Sequence, residues 1–93
     1  MSTDANIVYI GRKPVMSYVL ALMMHLNTPN AKEVVLKARG RSITTAVDVA
    51  EIARRRFMER LIITNIEIGT EELPQDEGAP RAVSTMDITL QLS

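Results

Sequence analysis

Apolar positions along the chain change their spacing several times, and each change marks an element. Ile7-Val8-Tyr9-Ile10 is a short β-branched and aromatic run ended by Gly11, which predicts a strand. From Pro14 onward Val15, Val19, Leu22, Met23 and Leu26 recur at helical spacing, and Pro14 suits the first helical position because its missing N–H is not needed there. Asn27-Thr28-Pro29-Asn30 closes this helix. Met16, Leu20, Ala21 and Met24 widen its apolar surface beyond one stripe, so it is expected to pack on two sides, against a sheet and against something else, a second subunit being one candidate.

Glu33 to Ala38, with Val34, Val35 and Leu36, reads as a second strand ended by Arg39-Gly40-Arg41. Ser42 is a good N-cap for the helix that follows, in which Ile43, Ala46, Val47, Ala50, Ala53 and Phe57 form one face and Thr44, Asp48, Glu51 and Arg55 point away. Glu51 and Arg55 make a favourable i,i+4 pair. Leu61 to Ile68 is a strand that alternates in its second half, and Met86 to Leu92 alternates strictly with its apolar face on even residues, so the two are natural hairpin partners. Pro74, Gly78 and Pro80 punctuate an acidic tip between them, Glu71 to Ala82, expected to be mobile and projecting. The order β-α-β-α-β-β predicts an α+β protein, a two-layer sandwich in which a four-stranded mixed sheet carries two helices on one face, as a single domain over residues 1–93.

A domain of 93 residues buries only about 60 to 65% of its unfolded surface, so dimerisation would supplement a modest core. Apolar residues at 46% and charged residues at 24% fit a folded globular chain rather than a disordered one. Cysteine is absent and there is one histidine, which excludes disulfides, thiolate metal sites and cysteine nucleophiles; no metal and no cofactor are expected. Met1 to Asn6 lacks the basic stretch and apolar run of a signal peptide, and no window approaches a membrane span, so a cytoplasmic location is expected. The net charge is zero but polarised: residues up to Arg60 carry +5 and those from Leu61 onward −5. Such a field has a basic end that concentrates polyanions.

Two strand-to-helix junctions share one design. Gly11-Arg12-Lys13-Pro14 brings two cations to the start of the first helix, and Arg39-Gly40-Arg41-Ser42 does the same for the second. Helix N-termini offer unpaired N–H groups and partial positive charge, and glycine lets the backbone approach an anion, so each junction suits a phosphate. Either loop alone reads better as an ordinary turn glycine between solvated charges; their duplication shifts the reading toward polyanion binding. A Walker A loop is absent. Arg54-Arg55-Arg56 points in three directions about 100° apart and reads as a solvated helix end that complements the helix dipole. Tyr9, Tyr18 and Phe57 are too few and scattered for a base-stacking platform, and Phe57 reads as core or interface. His25 reads as structural, the six methionines as core filler, and Ser42, Thr44 and Thr45 have no base to activate them, so an enzyme is not expected.

Ile10-Gly11-Arg12-Lys13-Pro14-Val15-Met16-Ser17-Tyr18-Val19-Leu20-Ala21 resembles the opening signature of the Alba family of archaeal DNA/RNA-binding chromatin proteins. Lys37-Ala38-Arg39-Gly40-Arg41-Ser42-Ile43, with Ala46-Val47-Asp48 and Glu51-Ile52, resembles its central one, and Arg56-Phe57, Ile68-Gly69-Thr70 and Ser84 to Ile88 continue the match in order. The resemblance runs from about Ile7 to Leu92. It implies a homodimer or heterodimer that binds duplex DNA without sequence preference, coats and condenses it in the nucleoid, and also binds RNA. It further implies that Arg12 and Lys13 are the central backbone contacts, that Arg39 and Arg41 assist, that the hairpins grip the duplex, and that Arg56 and Phe57 join neighbouring dimers. The chain departs from the family's basic hairpin: Glu71, Glu72, Asp76 and Glu77 lie there, leaving Arg81 to meet phosphate. Arg12 stands where the family commonly has lysine, so any acetylation switch falls to Lys13. The alternative implied by the acidic hairpin is a weakly binding paralogue that partners a basic family member.

Overall fold

Two parallel strands, each running directly into a helix, set the architecture. In the computed structural model, which describes residues 6–28, 32–75 and 77–93, β1 (Ile7–Tyr9) pairs in parallel with β2 (Glu33–Arg39), Ile7 opposite Val35 and Tyr9 opposite Lys37. Met1 to Ala5, Pro29, Asn30 and Asp76 of the segments discussed above lie outside the described residues. The first helix, α1 (Val15–Leu26), links the two strands, and α2 (Ser42–Ile52) leaves β2 and ends in a π-helical turn, Ala53–Phe57. Then β3 (Leu61–Leu73) and β4 (Arg81–Leu92) form an antiparallel hairpin, with β4 inserted between β2 and β3 to give the order β1-β2-β4-β3. The result is the expected α+β sandwich, a four-stranded mixed sheet with both helices on one face.

The core lies between that face and the helices. Alternation along the strands sends Val34, Leu36 and Ala38 of β2, Ile88 and Leu90 of β4, and Val8 of β1 inward, where they meet Tyr18, Val19, Leu22 and Leu26 of α1. Ala46, Val49, Ala50 and Ala53 supply the matching face of the second helix, and their small side chains let it approach the sheet closely. A fully buried aliphatic side chain of this kind contributes about 1.5–3 kcal/mol.

Several sequence expectations are revised here. Pro14 is outside α1 with an extended ψ of 150°, so Val15 is the first helical residue. Ser42 does not cap α2: Arg41 occupies the cap position with helical angles and no side-chain cap bond, while the Ser42 hydroxyl faces the carbonyl of Gly11 at 3.5 Å. Val49 rather than Val47 completes the buried face of α2, since 46, 49, 50 and 53 follow the i, i+3, i+4, i+7 rule. Phe57 is half exposed and not core, because the wider π turn rotates it off that face. Glu51 receives both Arg54 and Arg55 at 2.8 Å, and these hydrogen bonds hold its carboxyl below the usual range. Two of the three arginines are thus anchored locally. The hairpin strands also run further than expected, to Leu73 and from Arg81, which leaves residues 74–80 as the connection.

Thr64 explains why β3 alternates only late. Ile63 opposes Leu90 and Asn65 opposes Thr89, so Thr64 is an extra residue in a bulge. Before it the odd residues Leu61 and Ile63 face the helices; after it the even residues Ile66 and Ile68 do, opposite Ile88 and Met86. Ile66 and Ile68 nonetheless stay exposed because β3 is the edge strand of the sheet, one strand beyond the part of it that the helices cover.

Gly40 is the one glycine of the body with a positive φ, +59°, and a Cβ there would sit 3.4 Å from Val83 Cγ1. Gly40→Ala is therefore expected to destabilise the fold by about 1–2 kcal/mol, lowering Tm by roughly 5–10 °C at fixed protein concentration. Calorimetry of the two proteins checks this, and an unchanged Tm would show that the turn relaxes without strain.

Candidate nucleic-acid interface

Because β1 and β2 are parallel and adjacent, both chain segments leave the sheet at the same edge, and both helices begin there. The Gly11–Pro14 and Arg39–Ser42 junctions, far apart in sequence, therefore meet in space. The Ile10 amide donates to the Lys37 carbonyl at 2.9 Å, and the Ser42 hydroxyl reaches the Gly11 carbonyl. Arg12, Lys13 and Arg41 are exposed at this edge, and among the described residues no ion pair engages them. The result is a cationic corner beside two helix starts, each without a side-chain cap.

The loops themselves are held by the backbone amides that would otherwise be available to an anion. Gly11 and Lys13 each donate their N–H to the hydroxyl oxygen of Tyr18, at 2.9 Å, and Gly40 donates to the Ser84 carbonyl at 2.8 Å. The glycine amide of the first loop is thus occupied, and what the loop presents outward is the exposed side chains of Arg12 and Lys13. Tyr18 is buried to 7% exposure, with its ring in the core and its hydroxyl at the loop. Sequence reasoning missed this role, although a signal was present: a tyrosine on the core-facing stripe of a helix must find a partner for its hydroxyl.

The other predicted site residues separate. Arg39 is at the same edge but its guanidinium donates to Glu71 of the hairpin at 2.7 Å. Lys37 pairs likewise with Asp87 at 2.9 Å, and that hydrogen bond raises the ammonium above its ordinary range. Arg81 is exposed at the start of β4, opposite Leu73 near the tip, well beyond the body. Since Arg39 opposes Thr85, four residues of β4, Arg81 to Ser84, extend past the end of β2, about 13 Å of strand. Arg56 and Phe57 are exposed at the far end of α2, near the start of β3 and the opposite end of the molecule from the loops.

The family model for Alba matches residues 6–70. The chain belongs to the Alba family. It is 47% identical over 85 residues to the DNA/RNA-binding protein Alba of Methanococcus maripaludis, covering 91% of this chain and 96% of the relative. The DNA/RNA-binding protein Alba of Methanocella arvoryzae is 48% identical over 88 residues, 95% of this chain and 91% of that one. Among solved structures, Alba from Thermoplasma volcanium superimposes with a TM-score of 0.85 at 42% identity, covering 92% of this chain and 99% of its own. The basic corner of this Alba chain, the first loop above all, falls within the matched segment, whereas the hairpin tip and β4 lie beyond it.

Tyr18→Phe keeps the ring and removes the acceptor for two N–H groups. A loss of about 1–2 kcal/mol is expected in urea melts with unchanged slope, together with faster hydrogen exchange at the Gly11 and Lys13 amides. Unchanged exchange would show that the hydroxyl does not hold the loop.

Proposed function

We propose that this protein binds nucleic acid without sequence preference, coating duplex DNA as a dimer in the nucleoid and also accepting RNA. The observation that carries the reading is the meeting of Arg12, Lys13 and Arg41 at one edge of the sheet, beside the N-termini of both helices. A surface of cations on a rigid frame fits phosphates and offers nothing to distinguish bases. The printed names of the relatives, DNA/RNA-binding protein, support it. The geometry supports binding rather than catalysis, since the corner combines cations with no nucleophile and base in contact. Arg12 and Lys13 are the central contacts in this reading, Arg41 assists, and Arg81 meets phosphate from the hairpin. Arg56 and Phe57, at the opposite end, are placed to join neighbouring dimers along the duplex.

A dimer is supported by apolar surface left uncovered in one chain. Met16, Leu20 and Met24 form an outer stripe along α1, with exposures of 43, 57 and 70%, and Ile66 and Ile68 of the hairpin are exposed at 53 and 75%. Whether the second chain is another copy or a paralogue is read from mixing. Light scattering at micromolar concentration is expected to give twice the 10.3 kDa chain mass; a monomer mass would contradict the dimer.

One observation favours a second reading, a weakly binding paralogue that partners a basic family member. Glu71 and Asp87 of the hairpin neutralise Arg39 and Lys37, and Glu72 and Glu77 add further negative charge near the tip. In the first reading Arg12→Ala with Lys13→Ala lowers affinity for unrelated duplexes alike, by roughly ten- to a hundredfold at low salt, through the loss of two charged contacts per protomer. Gel shifts with two unrelated duplexes and a structured RNA measure it. Equal binding by the folded double variant would remove the proposed site, and weak binding that rises on adding a basic paralogue would favour the second reading.

A further inference from the structure

We propose that Glu71 acts as an intramolecular substitute for phosphate on Arg39, so that the hairpin withholds one cation of the binding surface until nucleic acid displaces it. The proposal rests on the nucleic-acid reading of the basic corner. Arg39 ends β2 beside Gly40 and Arg41, and its partner carboxylate lies two strands away. The sheet register explains how the two meet. Arg39 opposes Thr85, Thr85 opposes Gly69, and Glu71 is the next residue along β3 on that same face, which is the one the helices leave uncovered. The side chains must therefore span two inter-strand gaps, about 10 Å, which the long arginine allows. Gly69 adds no side chain of its own beside Thr85 in the lane between them, and a Cβ there would already stand 3.2 Å from Thr85 Oγ1.

Both partners are half exposed, at 58 and 49%, so the contact is within reach of a competing anion and is worth no more than a modest surface pair. That weakness is what makes it a device rather than a permanent lock. A guanidinium presents the same fork of donors to a carboxylate and to a phosphate. Duplex phosphate, with its high local charge density, can exchange for Glu71 at Arg39 without moving the backbone. Glu72, next in sequence, faces the opposite side of the hairpin, and among the described residues no ion pair engages it. It therefore repels phosphate only through space and is the natural control.

The two effects differ in salt dependence. Freeing Arg39 adds a cationic contact and steepens the slope of log K against log salt by about 0.9 for each protomer engaged, whereas removing a distant repulsion raises affinity with little change in slope. Fluorescence anisotropy with a labelled mixed-sequence duplex, between 50 and 200 mM salt, is to be run on the full chain and its Glu71→Gln, Glu72→Gln, Arg39→Ala and Arg39→Ala/Glu71→Gln variants, each checked for an unchanged melt. For each protomer engaged, Glu71→Gln is expected to bind about five- to tenfold tighter at 50 mM salt, with the gain shrinking about threefold by 200 mM. Glu72→Gln should give a smaller gain at constant slope, and Glu71→Gln in the Arg39→Ala background should do no more than Glu72→Gln. Equal gains and equal slopes for the two single variants, or a full gain from Glu71→Gln without Arg39, would overturn the proposal while leaving the basic corner intact. Failure of the wild type and of Glu71→Gln alike to bind the duplex would overturn the proposal and the nucleic-acid reading together.

Discussion

Everything at the candidate site depends on three residues of parallel pairing. If β1 joined β2 antiparallel, its following loop would open at the far end of the sheet, and Arg12 and Lys13 would be separated from Arg41 by the length of the strand. Parallel pairing forces a crossover helix between the strands and makes both helices begin at one edge. β1 is short, so its position is reinforced from outside the ladder. Ile10 continues the pairing through the Lys37 carbonyl, Tyr18 ties down the loop that follows, and Ser42 bridges to the neighbouring junction. A buried aromatic thereby links core packing to the placement of exposed cations.

Holding the loop through its own amides has a functional consequence. Amides occupied by Tyr18 do not need to be ordered by a ligand, so Arg12 and Lys13 project from a frame that is set before binding. Side chains on such a frame can change rotamer while the backbone remains fixed. That division suits a ligand with a regular charged repeat and variable bases better than it suits one small anion, for which a nest of free amides would give tighter selection.

Much of this architecture was legible in the chain itself. The six elements, their order and the two basic junctions follow from period changes and from Gly11, Pro14 and Gly40 acting as punctuation. What local pattern does not encode is long-range: which face of α2 survives the π turn at Ala53–Phe57, where Ser42 points once Gly11 is beside it, and that Arg39 and Lys37 meet carboxylates of the hairpin. Charge counted along the sequence puts the acidic and basic halves apart, yet folding back the hairpin brings them into contact. The loop sequence therefore groups Arg39 with Arg12 and Lys13, although its electrostatic surroundings differ from theirs.

The bulge at Thr64 connects these observations. Side chains in a strand alternate between faces, so one inserted residue exchanges the faces of everything beyond it. Were Thr64 paired in a regular ladder instead of being absorbed by the bulge, the odd residues would continue on the helix side: Glu67 and Glu71 would turn toward the apolar layer, and Ile66, Ile68 and Glu72 would face outward onto the open side of the sheet. With it, the isoleucines remain in line with Met86 and Ile88, and Glu71 emerges on the face that carries Lys37, Asp87 and Arg39. The register held by this bulge, about 25 Å of extended strand before Glu71, thus places both the exposed apolar edge and the carboxylate that pairs with Arg39. The two surfaces are coupled through register, so a slip that paired Thr64 in the ladder would turn the isoleucines and Glu71 to the opposite faces at the same time.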